Sequence, residues 1–190
     1  PASATPYSGL AWGVLCEEVG FPRGVVNILT GPAKEIGNTL MKNSLVRKVT
    51  FTGSTEVGKE LIKSSADTVK KVSMELGGNA PFLVFNDADL DKAVDGAIVS
   101  KFRNAGQTCV CANRIYVQSG VYQDFVKKFL IETAKMKVGD GRDLDVEQGP
   151  LIDMNAVLKV EELLEDAVKK GAKIALGGSR HDKGKTFFSP

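Results

Sequence analysis

Residues that hold metal ions or build disulfide frameworks are scarce in this sequence. Its 190 residues include only three cysteines and one histidine, His181. A small, odd number of cysteines in a chain of this length predicts free thiols in a reducing compartment. A structural zinc ion needs about four ligands, and His181 lies in a polar segment far along the chain from the cysteines. We therefore expect no metal centre, and we expect His181 at the surface.

Long apolar runs and an excess of one charge are also lacking. No segment approaches the roughly 18 apolar residues of a membrane-spanning helix, and no basic-then-apolar signal segment opens the chain. The 25 lysines and arginines are nearly balanced by 23 aspartates and glutamates. Surfaces that bind nucleic acid or anionic membranes carry a larger positive excess, so we expect neither among the partners.

What is present is an alternation of helix and strand patterns along the first 76 residues. Apolar spacing predicts helices at about residues 7–15, 36–41 and 55–62, and short apolar runs predict strands at residues 25–29, 48–51 and 71–76. Helices between buried strands require crossover connections and parallel pairing. The fold class predicted for this part is α/β.

Gly77 and Gly78 interrupt the pattern and mark the expected domain boundary, with domains at residues 1–76 and 77–190. Beyond the two glycines, strands are predicted at residues 81–85 and 114–118, and helices at 90–102, 122–130 and 156–170. The helix at 90–102 has the clearest apolar face, and Asp87 or Asp89 is its expected N-cap.

The segment F-T-G-S-T-E-V-G, residues 51–58, leads from a strand end directly into a helix. Gly53 would let a ligand approach the backbone, Ser54 offers a hydroxyl, and the free N–H groups of a first helical turn suit a phosphate. The same residues also make a common helix cap. From the residues alone, the two interpretations are equally supported, and the segment is not a G-x-G-x-x-G fingerprint.

Glu75 stands at the end of an apolar strand, and Leu76, Gly77 and Gly78 follow it. The carboxyl ends of strands are where α/β proteins place their ligands, and a carboxylate there is a candidate general base. The alternative is a strand-end glutamate that faces solvent, which composition alone favours.

Two cysteines lie in the polar loop N-A-G-Q-T-C-V-C-A-N-R, residues 104–114. Cys109 in such a loop is a better nucleophile candidate than Cys16, which the helical pattern places on an apolar face. Cys111 is either a small packing residue or the partner of a strained disulfide that silences Cys109 under oxidation.

Arg103 lies six residues before Cys109, where the preceding helix is predicted to end. An arginine at this place usually complements the helix dipole. It is also suited to a bidentate contact with a substrate carboxylate.

Together these segments resemble the aldehyde dehydrogenase superfamily. That family has a phosphate-binding turn like residues 51–58, a general-base glutamate followed by Leu-Gly-Gly as at Glu75, and a catalytic cysteine in a G-Q-x-C loop as at Cys109. All three occur here in the family's order, and the separation of 34 residues between Glu75 and Cys109 fits. The segment S-K-F-R-N-A-G-Q-T-C-V-C-A-N-R, residues 100–114, is similar to the succinate-semialdehyde dehydrogenases within the superfamily.

The resemblance implies a fold and a place within a longer protein. Residues 1–76 would be the back part of a Rossmann-like, parallel-sheet cofactor domain, and residues 77–190 most of an α/β catalytic domain. The chain covers under half of the family's usual length, so we expect a piece of a larger polypeptide, called the parent enzyme below. Family members carry elsewhere an oxyanion-hole asparagine, a ribose-binding lysine and a C-terminal segment that takes part in oligomerisation.

The resemblance also assigns roles to residues. Cys109 would be the nucleophile and Glu75 the general base, while Arg103 would bind the far carboxylate of the substrate. Asn104 belongs to the active-site loop without an assigned role. The residues implied in cofactor binding are Ser3, Gly53, Ser54, Val57 and Leu76.

The implied reaction is oxidation of succinate semialdehyde to succinate with NAD(P)+ through a cysteine thiohemiacetal and thioester. Glutarate semialdehyde is the alternative substrate, because one methylene changes binding by only about 1–3 kcal/mol. Ser3 is small and neutral where NAD-preferring members have a glutamate, so acceptance of NADP is expected. A nicotinamide-independent thioester hydrolase and a non-enzymatic relative fit the motifs less well. The parent enzyme would be a homodimer or homotetramer of the cytoplasm, or of the mitochondrial matrix in a eukaryote.

Overall fold

Two small parallel sheets, each accompanied by helices, organise the chain. The computed structural model describes all 190 residues, which divide into the units Pro1–Gly77 and Gly78–Pro190. Each unit holds one sheet of two parallel strands. The predicted α/β class with parallel pairing is therefore confirmed. No helix has the length and apolar character needed to cross a membrane.

The first unit places its two strands side by side with a helix between them in sequence. Its elements are α1 (Tyr7–Glu18), α2 (Ala33–Lys42), β1 (Lys48–Thr52), α3 (Thr55–Ser65) and β2 (Lys71–Glu75). The strands pair in register from Lys48 opposite Lys71 to Thr52 opposite Glu75. Both strands thus end at one edge of the sheet, where the turn after β1 and the glutamate of β2 are neighbours.

A buried lysine fixes the other end of this sheet. Lys70 is 7% exposed, and its ammonium group donates to the carbonyl oxygens of Asn43 at 2.7 Å and Val46 at 2.9 Å. A buried charge needs such partners. The contacts connect the residue before β2 to the segment that leads into β1, and so they support the register of the pair.

The strand predicted at residues 25–29 is wrong. These residues form no ladder, and Val25 and Leu29 are 61% and 58% exposed. A short apolar run indicates a tendency to be buried, but a strand also needs a neighbour for its N–H and C=O groups. In this unit β1 and β2 pair only with each other. Helix α1 forms as predicted but buries no residue, and Cys16 on it is half-buried.

The second unit packs helices on a parallel pair and adds a separate apolar cluster. Its elements are β3 (Ala80–Val84), α4 (Leu90–Phe102), β4 (Ala112–Val117), α5 (Tyr122–Lys135) and α6 (Met154–Lys169). Asp89 is the N-cap of α4, since its carboxylate accepts from the N–H of Lys92 at 3.3 Å. One core cluster joins β3, α4 and α5 through Val84, Val94, Ala97 and Phe125, and another joins Leu151, Val157 and Phe188.

Candidate active site

The turn after β1 has the features of a site for a negative charge. Ser54 is the N-cap of α3, and its hydroxyl oxygen accepts from the N–H of Val57 at 3.3 Å. The pKa of the Glu56 carboxyl lies below its usual range, because its own backbone N–H and the Ser54 hydroxyl donate to it, with Lys59 nearby. The start of α3 therefore stabilises an anion, as the N–H groups of a helix N-terminus should.

Two glycines make room around this turn. A Cβ at Gly53 would collide with the ring of Phe51, and a Cβ at Gly58 would lie 2.5 Å from the side chain of Leu76. A glycine at Gly53 also leaves the backbone open to a ligand. With the anion-stabilising end of α3, these features fit the phosphate of a nucleotide cofactor.

Glu75 lies beside this turn. The N–H of Gly53 donates to the carbonyl oxygen of Glu75 at 3.0 Å, which continues the β1–β2 ladder by one bond. Both strands end here, and the side chain of Glu75 is exposed. The structure thus brings the predicted phosphate turn and the predicted general base to one edge of the sheet. Leu76, the next residue, packs over Gly58 of α3.

A strained turn follows α4 and leads to Cys109. Asn104 and Ala105 have φ values of 54°, and Gly106 has a φ of 74°. The left-handed conformation costs an L-residue with a Cβ about 1–2 kcal/mol. Reciprocal hydrogen bonds hold the turn: the amide of Asn104 donates to the carbonyl of Gln107, and the backbone N–H of Gln107 donates to the carbonyl of Asn104, both at 3.1 Å. Gly106 indicates a turn in the sequence, but nothing in the sequence predicts the left-handed conformation of Ala105.

The two cysteines of this loop lie in different environments. Cys109 is exposed and its thiol is free, whereas Cys111 is buried. The Cys111 thiol donates to the carbonyl oxygen of Gly106 at 3.1 Å, and its N–H donates to that of Thr108 at 3.3 Å. Cys109 is thus the accessible thiol, and Cys111 is tied into the turn.

Arg103 is exposed immediately after α4. Its backbone is extended (φ −49°, ψ 125°), so the helix ends there and the left-handed turn begins at the next residue. The guanidinium is therefore available to an anion at the start of the segment that carries Cys109.

Ser3 and Val57, the other residues that the sequence assigned to a cofactor, are exposed, and Ser3 precedes α1. His181 is less exposed than predicted, because it is half-buried and its Nδ1 accepts from the N–H of Lys183 at 3.2 Å. No group of three or more His, Cys, Asp or Glu side chains is arranged to hold a metal ion.

Sequence reasoning missed Gln107, although the motif that contains it was singled out. Its side-chain amide donates to the carbonyl of Pro150, and its side-chain oxygen accepts from the N–H of Ile152. Its position two residues before Cys109 indicated that it belongs to the site. Its hydrogen-bond partners, however, lie more than forty residues away in the sequence. Only the folded chain reveals them.

Two known proteins with similar sequences are longer than this chain. It is 58% identical over all 190 residues to a glutarate-semialdehyde dehydrogenase of Pseudomonas aeruginosa and to the succinate-semialdehyde dehydrogenase [NADP(+)] of Escherichia coli. In both comparisons the chain spans 39% of the relative's length.

A solved structure gives the same picture for the fold. The crystal structure of a succinate-semialdehyde dehydrogenase from Burkholderia pseudomallei superposes with a TM-score of 0.98 at 52% identity. The match covers the whole of this chain and 39% of that one. The model of the aldehyde dehydrogenase family likewise matches residues 1–190. With its sequence and fold matched from end to end, the chain belongs to the aldehyde dehydrogenase family.

Proposed function

We propose that the parent enzyme oxidises an aldehyde with a distal carboxylate, succinate semialdehyde, to the corresponding acid with a nicotinamide cofactor. The observation that carries the proposal is the exposed, free thiol of Cys109 just after a turn that begins beside the exposed Arg103. Two relatives named for semialdehyde substrates support it. Residues 1–76 act as part of the cofactor domain and residues 77–190 as part of the catalytic domain.

Cofactor binding is the task of the first unit. Gly53 and Ser54, with the first turn of α3, would hold a phosphate of the cofactor, and Val57 and Leu76 would take part in its binding. When bound, NADP or NAD supplies the acceptor for a hydride.

The first chemical step belongs to Cys109. Its thiolate attacks the aldehyde carbon, and a C–S bond forms as the carbonyl π bond becomes an oxyanion. The backbone N–H of Cys109 has no partner within the chain, so it is free to donate to that oxyanion. Loss of hydride from the same carbon then leaves a thioester on Cys109.

Glu75 performs the second step. Its carboxylate takes a proton from a water molecule, the resulting hydroxide attacks the thioester carbon, and the C–S bond breaks. The acid leaves and Cys109 is again a thiolate. The exposure of Glu75 supports this role because water can reach it.

Arg103 gives the first prediction, on substrate choice. In the parent enzyme, Arg103→Ala is expected to lower kcat/KM for succinate semialdehyde by about 10- to 100-fold, the loss of one charge-assisted contact. For propanal, which has no carboxylate, the change should be within about 2-fold. Steady-state formation of reduced nicotinamide measures both.

The matched control for this prediction is Arg142→Ala. Arg142 is an exposed arginine paired with Asp140, and its loss should affect neither aldehyde. Equal losses of kcat/KM on both aldehydes in Arg103→Ala would contradict the proposed contact between Arg103 and the substrate carboxylate. Glutarate semialdehyde belongs in the same assay, since the Pseudomonas aeruginosa relative bears its name and Arg103 suits either carboxylate.

The second prediction concerns cofactor choice and Ser3. The parent enzyme is expected to use NADP+ at least as well as NAD+, because Ser3 places no negative charge near the ribose. Ser3→Glu should lower kcat/KM for NADP+ by about 100-fold through like-charge repulsion and leave that for NAD+ nearly unchanged. Ser8→Glu, an exposed serine on α1, controls for added charge. A strong preference of the wild type for NAD+ contradicts the prediction.

The remaining proposals concern the parent enzyme as a whole. Its partners are a small aldehyde and further copies of itself, as a homodimer or homotetramer, without nucleic acid or membrane. A bacterial parent enzyme would work in the cytoplasm and a eukaryotic one in the mitochondrial matrix. A disulfide between Cys109 and Cys111 stays a prediction. To form it, Cys111 must give up its hydrogen bond to Gly106.

A further inference from the structure

The side chain of Gln107 makes three hydrogen bonds that tie the Cys109 turn to a distant part of the second unit. Its Nε2 donates to the carbonyl of Asn104 at 3.1 Å and to that of Pro150 at 3.4 Å. Its Oε1 accepts from the backbone N–H of Ile152 at 2.8 Å. The last two bonds cross 43 and 45 residues of sequence.

The segment at residues 150–152 is anchored through Leu151, which lies between the exposed residues Pro150 and Ile152. Leu151 is 7% exposed, packs with Val157 and Phe188, and donates its N–H to the carbonyl of Thr186 at 2.9 Å. Immediately after it, Asp153 caps α6 by accepting from the N–H of Ala156 at 2.8 Å. Close packing and satisfied backbone groups of this kind resist displacement.

The turn that Gln107 holds is not stable by local preference. Ala105 is left-handed despite its Cβ, a conformation that asparagine tolerates better than alanine, so the turn depends on contacts that hold it. Arg103 and Cys109 lie on either side of this turn, so a change in its shape would move the thiol relative to the guanidinium.

We infer that Gln107 is a positioning residue, which holds Cys109 in its attacking position by clamping the left-handed turn to residues 150–152. The inference rests on the proposed function, in which Cys109 is the nucleophile. In the proposed reaction, Gln107 does not touch the reacting atoms. It acts through the backbone of the turn, on the rate of thioester formation and not on the affinity for the aldehyde.

The test measures the first turnover of the parent enzyme with succinate semialdehyde and NADP+. Gln107→Met keeps the length of the side chain but removes all three bonds, and it should lower the first-turnover rate constant by about 30- to 100-fold, as small misplacements of reacting groups do. With enzyme in excess over aldehyde, the amount of reduced nicotinamide formed in that single turnover and the enzyme concentration at half-maximal rate should stay near those of the wild type. Gln107→Glu keeps the acceptor for the shortest bond but places a carboxylate oxygen against the carbonyl oxygens of Asn104 and Pro150, so its loss should be about as large.

The matched control is Gln118→Met. The side-chain oxygen of Gln118 accepts from the N–H of Asn86 at 2.8 Å, a tether of the same kind after β4, and its loss should leave the first turnover unchanged. A wild-type rate in Gln107→Met, a reduced amplitude at an unchanged rate, or an equal loss in Gln118→Met would each overturn the inference.

Two further outcomes separate this inference from the proposed function. If thermal unfolding shows that Gln107→Met does not fold, Gln107→Glu decides, and a wild-type rate in that variant overturns the inference. If the wild type itself forms no reduced nicotinamide from any aldehyde, the proposed function fails and the inference fails with it. If the wild type is active, the variants test the role of Gln107 alone.

Discussion

Replacement of Cys109 by serine is expected to abolish aldehyde oxidation by the parent enzyme, with a loss in kcat of at least about 10³-fold. A serine hydroxyl keeps the size of the side chain but is protonated near neutral pH and is a far weaker nucleophile than a thiolate. No thiohemiacetal forms, so neither the first nor any later turnover yields reduced nicotinamide. Absorbance of the reduced cofactor measures the loss.

The chain offers a matched control in Cys16→Ser. Cys16 is a free, half-buried cysteine on α1, and its replacement should leave kcat within about 2-fold of the wild type. Binding of NADP+ by Cys109→Ser should also be unchanged, since the cofactor residues lie in the first unit. Residual activity of Cys109→Ser above a few per cent would show that another group acts as the nucleophile.

The second large effect is expected for Glu75→Gln, which should lower steady-state kcat by about 10²- to 10⁴-fold. Glutamine is isosteric but takes no proton from water, so the thioester accumulates. The β1–β2 register should survive, because the carbonyl oxygen that accepts from Gly53 belongs to the backbone. A rapid-mixing experiment is therefore expected to show one reduced nicotinamide per active site, followed by almost no turnover.

Hydroxylamine sharpens the test of Glu75. It attacks thioesters without a general base, so it should restore part of the turnover of Glu75→Gln and leave Cys109→Ser inactive. Glu60→Gln, at an exposed glutamate of α3, is the control and should match the wild type. Loss of the burst in Glu75→Gln would contradict a role confined to hydrolysis, and wild-type turnover would exclude Glu75 as the base.

Local pattern determined much of the secondary structure. The helix predicted at residues 90–102 is found at Leu90–Phe102, because apolar residues recur at helical spacing and an aspartate precedes them. The strands β1 to β4 also follow from the sequence, and so does the parallel pairing of β1 with β2, since a helix between two buried strands favours a crossover connection. The strand predicted at residues 25–29 fails, because an apolar run does not tell whether a neighbouring strand is present.

The candidate site was likewise predictable from the sequence only in part. Motifs within a few residues were enough to single out Ser54, Glu75, Cys109 and Arg103, because the chemistry of each depends on side-chain type and immediate neighbours. The hydrogen bond between Gly53 and Glu75 depends on strand register, and the left-handed turn at Asn104 and Ala105 depends on what holds it.

The sequence by itself therefore determined the family resemblance, the fold class and the candidate nucleophile and base of this protein. Only the tertiary structure decided which residue ties the turn before Cys109 to a distant segment and which cysteine is accessible. Both depend on contacts made by folding: Gln107 finds its partners 43 and 45 residues away, and Cys111 is buried while Cys109 is exposed two residues earlier. Contacts at such separations are set by packing of the whole unit, which no local pattern of residues encodes.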